Sequence, residues 1–242
     1  MSAVSHHELR VKVATACRVL GARRLVDGVL GHVSARAGDD GMLIRCRGPH
    51  ERGVARSEPA DIRLADLEGG QPLEPADGWA VPREWPIHAA LYQARPEVGA
   101  VVHAHPTAAV LCSLAGLQPR PVFGAYSIPA LRMALDGVPT YPRAILISRP
   151  ELAAELLAAM GQRPVCVLYG HGIVAAGATV EQATVAALNL TELLSVTVAL
   201  AQLGASPAPL PPQDVAELPD LGARFNDQLT WQSLVAELEP GP

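Results

Sequence analysis

The sequence predicts an α/β fold, in which helices and strands share one core. Residues 7–26 repeat apolar side chains with a helical period, residues 29–36 and 42–46 alternate as a pair of strands, and residues 180–203 are apolar on most faces of a long helix. The length of 242 residues suits one ordinary domain. We therefore expect a single domain over residues 1–242, with a C-terminal tail from about residue 206.

The chain begins with a helix and a hairpin. The apolar residues of the first helix fall on one face, and Gly28 is expected to end it. Glycine and aspartate at residues 38–41 form a turn, which predicts that the next two strands pair antiparallel. Residues 52–80 are polar and rich in glycine and proline, which indicates a loop bordering the site with a short strand near residues 62–67.

The middle of the chain alternates helical and extended patterns. A helix should follow the prolines near residue 82, and a strand at residues 99–104 should lead into a helix at residues 107–114. The remaining predicted elements are strands at 121–126, 144–148, 164–169 and 173–176, a helix at 151–160, and an amphipathic segment at 225–238.

Composition and charge exclude several classes of protein. The net charge is only -5 and basic residues are dispersed, so neither nucleic acid nor an anionic membrane is an expected partner. Apolar runs fall short of the roughly 18 residues that span a bilayer. The amino terminus lacks a charged-then-apolar signal layout, and the cysteines are widely spaced in apolar contexts. We expect a cytoplasmic protein with reduced, buried cysteines.

Two histidines lie on one predicted strand. Side chains two residues apart in a strand project from the same face, so His103 and His105 can offer two nitrogen ligands to one divalent metal ion. Pro106 ends the strand directly after them. Because surface and core histidines also occur at this spacing, the prediction of a metal site requires further candidate ligands.

His171 and Glu84 are the candidates to complete such a site. His171 lies in a Gly-His-Gly corner between apolar runs, where a third imidazole would leave an open coordination position, although a solvated turn histidine is the alternative. Glu84 lies at the start of the helix that precedes the histidine strand. It is a candidate acid/base group or fourth ligand, and the alternative is a carboxylate that only stabilises the start of the helix. His88 follows at helical spacing and could approach the site, although a satisfied, partly buried histidine is the expectation there.

Together these motifs resemble the class II aldolase/adducin family over about residues 9–203. The matching segments are Gly-His-Val-Ser at 31–34, Glu-Trp-Pro-Ile-His at 84–88, Arg-Pro-Glu-Val-Gly-Ala-Val-Val-His-Ala-His at 95–105 and Gly-His-Gly at 170–172. The resemblance implies a three-layer α/β/α fold with a mainly antiparallel central sheet, and a homotetramer with sites at subunit junctions. It also implies that His103, His105 and His171 hold a metal ion and that Glu84 is the acid/base group. Zn²⁺ suits these ligands, as do Mn²⁺ and Fe²⁺.

The substrate-binding residues differ from those of the family's sugar-phosphate aldolases. Those enzymes bind phosphate with a hydroxyl-bearing turn and two serines before the glutamate, whereas this chain has Arg45 and Arg47 in the turn and Arg83 before Glu84. Arginine pairs with planar carboxylates in a bidentate way, which indicates a carboxylated substrate. The alternative for Arg45 and Arg47 is a solvated stripe on one strand face.

Three further residues are candidate substrate contacts. His32 stands where the aldolases carry asparagine, and Ser34 follows it in the same motif. The catalytic tyrosine of the aldolases matches a position near Met133, so Tyr126 is a candidate substitute, with a core or interface tyrosine as the alternative.

The chain resembles the decarboxylase branch of the family, which acts on hydroxylated aromatic ortho-dicarboxylates such as a dihydroxyphthalate or a pyridine dicarboxylate. The segments that carry this resemblance include Arg-Cys-Arg-Gly-Pro at 45–49 and Val-Phe-Gly-Ala-Tyr-Ser-Ile-Pro-Ala-Leu at 122–131. A Lewis-acidic metal would stabilise negative charge as a carbon–carbon bond breaks while a carboxylate moves a proton. The alternatives are an aldolase for a non-phosphorylated hydroxy-keto substrate, an iron-dependent oxygenase, and a non-catalytic binding protein like adducin.

Overall fold

A computed structural model describes residues 5–39, 41–75 and 78–238 of the chain. Its α-helices are α1 (His6–Ala22), α2 (Trp85–Ala94), α3 (Thr107–Leu114), α4 (Ile128–Asp136), α5 (Pro150–Met160), α6 (Val180–Gln202), α7 (Pro212–Glu217) and α8 (Thr230–Ala236). Its strands are β1 (His32–Arg36), β2 (Gly41–Arg45), β3 (Ile62–Asp66), β4 (Ala100–Ala104), β5 (Thr140–Tyr141), β6 (Val165–Leu168) and β7 (Gly172–Gly177). Short 3₁₀ turns at Val54–Arg56 and Pro59–Asp61 precede β3, and a π-helical turn at Arg224–Leu229 precedes α8.

The strands form one sheet in the order β3-β2-β1-β4-β7-β6-β5. Every neighbouring pair is antiparallel except β5 and β6, which are parallel. Helices α1 and α6 cover one face of the sheet, and α2 and α5 cover the other. The predicted three-layer α/β architecture with a mainly antiparallel sheet is therefore confirmed.

Helix α1 begins where its sequence predicts and ends earlier. Ser5 and Glu8 form a capping box at its start. The helix stops at Ala22, so the predicted end near Gly28 is wrong. Arg24 takes a left-handed conformation with φ +59°, and the N–H of Leu25 donates to the carbonyl of Leu20 at 2.9 Å. This turn carries Leu25 into the core, where it is 2% exposed.

The predicted hairpin and the long helix are both present. Strands β1 and β2 pair antiparallel with Arg36 opposite Met42, and Asp40 of the intervening turn lies outside the described residues. By length and composition α6 is long and apolar enough to cross a membrane, although polar residues interrupt its apolar run. Its packing against β4, β6 and β7 accounts for that composition. All four cysteines are buried and free.

Two predicted strands are absent from the described residues. At residues 121–126 the chain is irregular, and the carbonyl of Pro121 accepts a hydrogen bond from Leu210 in the tail. At residues 144–148 the chain is also irregular, because the N–H of Ile147 is used by the carboxylate of Glu84 at 2.9 Å and not by a neighbouring strand. The two-residue strand β5 was not predicted.

Candidate metal centre

The predicted metal ligands meet at one end of the central strand β4. His103 is the penultimate residue of β4, where it lies opposite His32 of β1 and Val174 of β7. His105 follows the strand directly, and its backbone N–H donates to the carbonyl of Leu25 at 3.0 Å. The antiparallel pairing of β4 with its two neighbours therefore brings both histidines to the end of the sheet at which β1 and β7 begin.

The third histidine is supplied by the tight turn between β6 and β7. Gly170 takes a left-handed conformation with φ +59°, and the N–H of His171 donates to the carbonyl of Leu168 at 3.1 Å. A Cβ at Gly172 would overlap the carbonyl oxygen of Ala104. Glycine at position 172 therefore allows β7 to lie against the end of β4, which places His171 beside His103.

Glu84 completes a cluster of four potential ligands. It lies at the N-cap position of α2, 5% exposed. One of its carboxylate oxygens lies 3.3 Å from Nε2 of His103 and 3.6 Å from Nε2 of His171. Nε2 of His105 lies 2.8 Å from Nε2 of His103. The four ligand atoms all lie within 4.8 Å of one another.

The donor set fits a divalent metal ion. Nδ1 of His103 lies 3.0 Å from the carbonyl of Ile173, so its hydrogen is directed there and the lone pair of Nε2 is free to bind a metal. The other oxygen of Glu84 is held by the N–H of Ile147. Three imidazole nitrogens and one carboxylate oxygen are the ligands preferred by zinc, manganese or ferrous iron in catalytic sites.

The electrostatic environment favours the metal-binding forms of these side chains. Burial alone would raise the pKa of Glu84, but the close imidazoles of His103 and His171 outweigh it and hold that pKa below its usual value. Burial lowers the pKa of His105 to about 3. At neutral pH the cluster therefore holds an ionised carboxylate and a neutral imidazole, which are the states that coordinate a metal.

Of the other predicted contacts, His32 lies next to the cluster and Ser34 lies behind it. The ring centroid of His32 is 5.0 Å from that of His103. Burial holds the pKa of His32 well below its usual value, with the neighbouring His88 adding to the effect. Ser34 is fully buried and is hydrogen-bonded to His88 and Tyr92.

The structure separates the three predicted arginines. Arg45 is 3% exposed, forms an ion pair with Glu51, and projects to the same side of the sheet as Leu43, into the layer of α1. This is the side opposite His32 and Ser34, so Arg45 does not join the cluster. Arg47 and Arg83 are exposed, and Arg83 directly precedes Glu84.

Tyr126 lies apart from the four-ligand cluster. Its side chain is 70% exposed, and its hydroxyl donates to the carboxylate of Glu192 on α6 at 2.5 Å. The chain therefore places this phenol on the surface of the α6 layer.

Sequence reasoning missed the roles of His88 and Tyr92. Both are fully buried on α2, and both join a hydrogen-bonded row that reaches His32. The pattern held a signal, because Glu84, His88 and Tyr92 are spaced by four residues and so share one helix face.

Comparisons with known proteins agree with this geometry. Residues 11–198 match the family model for the class II aldolase and adducin N-terminal domain. The chain is similar to the 3,4-dihydroxyphthalate decarboxylase of Arthrobacter keyseri, with 46% identity over 98% of this chain and 96% of that one. It is 47% identical to the 3,4-dihydroxyphthalate decarboxylase of Terrabacter sp. (strain DBF63), over 95% and 96% of the two chains. Among solved structures, an aldolase II superfamily protein from Pseudomonas syringae shares the fold, with a TM-score of 0.79, 24% identity, and coverage of 98% and 94%.

Proposed function

The chain belongs to the class II aldolase and adducin family, and we propose that it is a metal-dependent decarboxylase of a hydroxylated aromatic ortho-dicarboxylate. The observation that carries the proposal is the similarity, at 46–47% identity and nearly full length, to two 3,4-dihydroxyphthalate decarboxylases. The cluster of Glu84 with three histidines supplies the ligands that such a carbon–carbon lyase requires. 3,4-Dihydroxyphthalate is therefore the first substrate to test.

We propose that His103, His105 and His171 hold one divalent ion through their Nε2 atoms. Zn²⁺ is favoured, and Mn²⁺ and Fe²⁺ satisfy the same ligands. When bound, the ion supplies a Lewis acid that stabilises negative charge on substrate oxygens as the carbon–carbon bond breaks. The hydrogen bond from His103 to Ile173 fixes the ring that lies at the centre of the site.

Glu84 moves the proton in this proposal. Because its pKa is held low, Glu84 is ionised in the resting site and first accepts the proton of a substrate hydroxyl. It then gives that proton to the ring carbon from which carbon dioxide departs, so the proton count is conserved. Its contact with the N–H of Ile147 fixes one oxygen and leaves the other facing the histidines.

The surrounding residues bind and orient the substrate in this proposal. Arg47 and Arg83 are the exposed cations that would hold a carboxylate by charge-assisted hydrogen bonds. His32 lies against His103 and would contact a substrate oxygen beside the ion. Ser34, Arg45 and Tyr126 do not reach the cluster directly, so we assign them no contact with substrate within one protomer.

The proposal is tested by carbon dioxide release from 3,4-dihydroxyphthalate and from related benzene and pyridine dicarboxylates, assayed without oxygen. Release that stops after chelation and returns with added Zn²⁺ or Mn²⁺ is the expected result. Isophthalate derivatives, whose carboxylates are not adjacent, are the matched control substrates. No release by metal-loaded protein would reject decarboxylation, and an aldehyde or pyruvate product would indicate aldol chemistry. A requirement for oxygen would indicate the oxygenase.

The family is generally oligomeric, and we propose a cytoplasmic homotetramer. The apolar helix α6 and the tail that carries Trp231 are the candidate interface elements. Sedimentation analysis of the metal-loaded protein tests this assembly, and a monomer at micromolar concentration would reject it.

A further inference from the structure

A row of three short hydrogen bonds runs from the metal centre into the core. Nδ1 of His32 lies 2.7 Å from Nε2 of His88, and Nδ1 of His88 lies 2.6 Å from the hydroxyl of Ser34. That hydroxyl lies 2.6 Å from the hydroxyl of Tyr92. We call Tyr92, Ser34 and His88 the buried trio, because none of them is more than 1% exposed. The mechanism above does not use them.

Two facing elements build this row. His32 and Ser34 alternate on one face of β1, while His88 and Tyr92 lie one helical turn apart on the face of α2 that covers the strand. Polar side chains between a sheet and a helix cost free energy unless every one is hydrogen-bonded. The row satisfies this condition, since each side chain of the buried trio contacts another polar side chain.

The direction of the hydrogen bonds follows from the end of the row. Among the described residues, the hydroxyl of Tyr92 has only the hydroxyl of Ser34 as a side-chain partner. If Ser34 donated to Tyr92, the tyrosine hydrogen would be left without an acceptor in the core, at a cost of about 1–3 kcal/mol. Tyr92 therefore donates to Ser34. The hydroxyl of Ser34 must then donate to Nδ1 of His88.

This direction sets the tautomer of both histidines. With Nδ1 accepting from Ser34, a neutral His88 carries its hydrogen on Nε2 and donates it to Nδ1 of His32. His32 in turn carries its hydrogen on Nε2, on the other side of the ring. That atom has no hydrogen-bond partner within the described chain, and the ring lies 5.0 Å from that of His103.

We propose that the buried trio consists of positioning residues that hold His32 with its hydrogen on Nε2, so that His32 is a fixed hydrogen-bond donor to an anionic oxygen of the substrate. The inference rests on the proposed function only for the identity of that oxygen. The row orients a ring and does not conduct protons, because it ends at a tyrosine that is 1% exposed. The Tyr92 end is anchored by Arg36, whose guanidinium lies 5.0 Å from the ring centroid and donates to the Tyr92 carbonyl at 2.6 Å.

The tautomer is measured directly by nitrogen NMR of the zinc-loaded protein, labelled in its eight histidine rings. The His32 signals are assigned by their loss in His32→Asn. The expected result is a His32 ring protonated at Nε2 and unprotonated at Nδ1. Protonation at Nδ1 would overturn the proposal. This readout needs no substrate, so it stands even if the proposed decarboxylation fails.

Variants at position 88 test whether the positioning matters for the reaction. His88→Leu removes both hydrogen bonds and should lower kcat/KM about 10- to 100-fold, with the metal content unchanged. His88→Gln restores one donor and one acceptor and should recover most of that loss, together with the His32 signal. Gln93→Leu, which removes a hydrogen bond from α2 to Leu67, is the matched control and should keep the wild-type value.

The outcomes separate positioning from a purely structural role. If His88→Leu and His88→Gln lose kcat/KM equally while His32 keeps its tautomer, the residue supports only folding and the proposal is wrong. If His88→Leu behaves like Gln93→Leu, the tautomer has no consequence for the substrate, and the proposal is also wrong.

Discussion

Glu84 is the residue whose replacement separates proton transfer from metal binding. Glutamine at position 84 keeps the shape and can still accept the hydrogen bond from Ile147, but it cannot take up a proton. We expect Glu84→Gln to lower kcat about 10²- to 10⁴-fold, the range of general acid–base catalysis. Metal content measured by elemental analysis should remain close to that of the wild type, because three histidines still hold the ion.

The control for this experiment is Glu155→Gln. Glu155 lies at the surface, where it pairs with Arg143 at 2.7 Å. Its replacement should leave kcat unchanged. Wild-type turnover in metal-loaded Glu84→Gln would remove the proton-transfer role from Glu84.

We expect the same substitution to change substrate binding at Arg47 and stability at Arg45. Arg47→Gln removes an exposed cation and should raise KM while leaving the free energy of unfolding unchanged. Arg45→Gln breaks a buried ion pair with Glu51 and should lower that free energy by about 2 kcal/mol, below the usual cost of such a loss because Glu51 is partly exposed. Urea denaturation and steady-state kinetics on both variants measure the two effects. A raised KM in a fully stable Arg45→Gln would place Arg45 at the substrate.

The cluster of Glu84 with three histidines could be predicted from the sequence, and the positions of the arginines could not. A His-x-His pair on a strand and a Gly-His-Gly corner constrain their side chains locally, so the cluster with Glu84 required few assumptions. Arg45 and Arg47 are also two residues apart, but β2 ends at the buried Arg45, and Arg47 lies beyond the strand and is exposed. The positions of β1 and α2 determine which face of β2 carries the site. The spacing of residues within β2 holds no information about those positions.

At the level of secondary structure, the turn between β6 and β7 is the most constrained part of the site. A methyl group at position 172 would overlap the carbonyl of Ala104, so β7 must move away from β4. We expect Gly172→Ala to lower the free energy of unfolding by about 2–3 kcal/mol and to reduce metal affinity, because His171 moves with the turn. Thermal denaturation and metal titration measure the two losses.

A glycine in an unstrained loop provides the comparison. A Cβ at Gly69 would make only ordinary contact with the side chain of Gln71. Gly69→Ala should therefore retain both stability and metal affinity. If Gly172→Ala did the same, the close approach of β7 to β4 would not be what positions His171.

The elements that the sequence predicted are those whose own residues carry a helical or an extended pattern. Helices α3, α5 and α6 and the hairpin of β1 and β2 belong to this class. Residues 144–148 are equally apolar, but the N–H of Ile147 serves the carboxylate of Glu84. A long-range hydrogen bond of this kind leaves no periodic pattern in the sequence. The sequence therefore predicts a strand that the described residues do not form.

At the scale of the whole molecule, the sheet divides the core into two layers with different chemistry. The layer under α1 and α6 is apolar apart from Arg45 and a few hydroxyl side chains, whereas the layer under α2 holds Glu84, His88 and Tyr92 among its apolar neighbours. A polar group buried in the second layer becomes exposed to water when the chain unfolds, so its protonation is coupled to the free energy of unfolding. Its protonation must therefore appear in global unfolding.

His88 makes this coupling measurable. Burial, with the nearby His103 adding to it, lowers its pKa from 6.5 to about 3. Between these values the unfolded chain binds a proton that the native protein does not. The contribution of His88 to stability is therefore fully present above pH 6.5 and is lost as the pH decreases. By pH 5 this one group should cost about 2 kcal/mol of stability. His88→Gln cannot titrate, so its free energy of unfolding should fall less over the same range. Urea denaturation of the metal-free wild type and variant between pH 8 and pH 5 measures the difference, and parallel pH curves would mean that His88 is protonated in the native core.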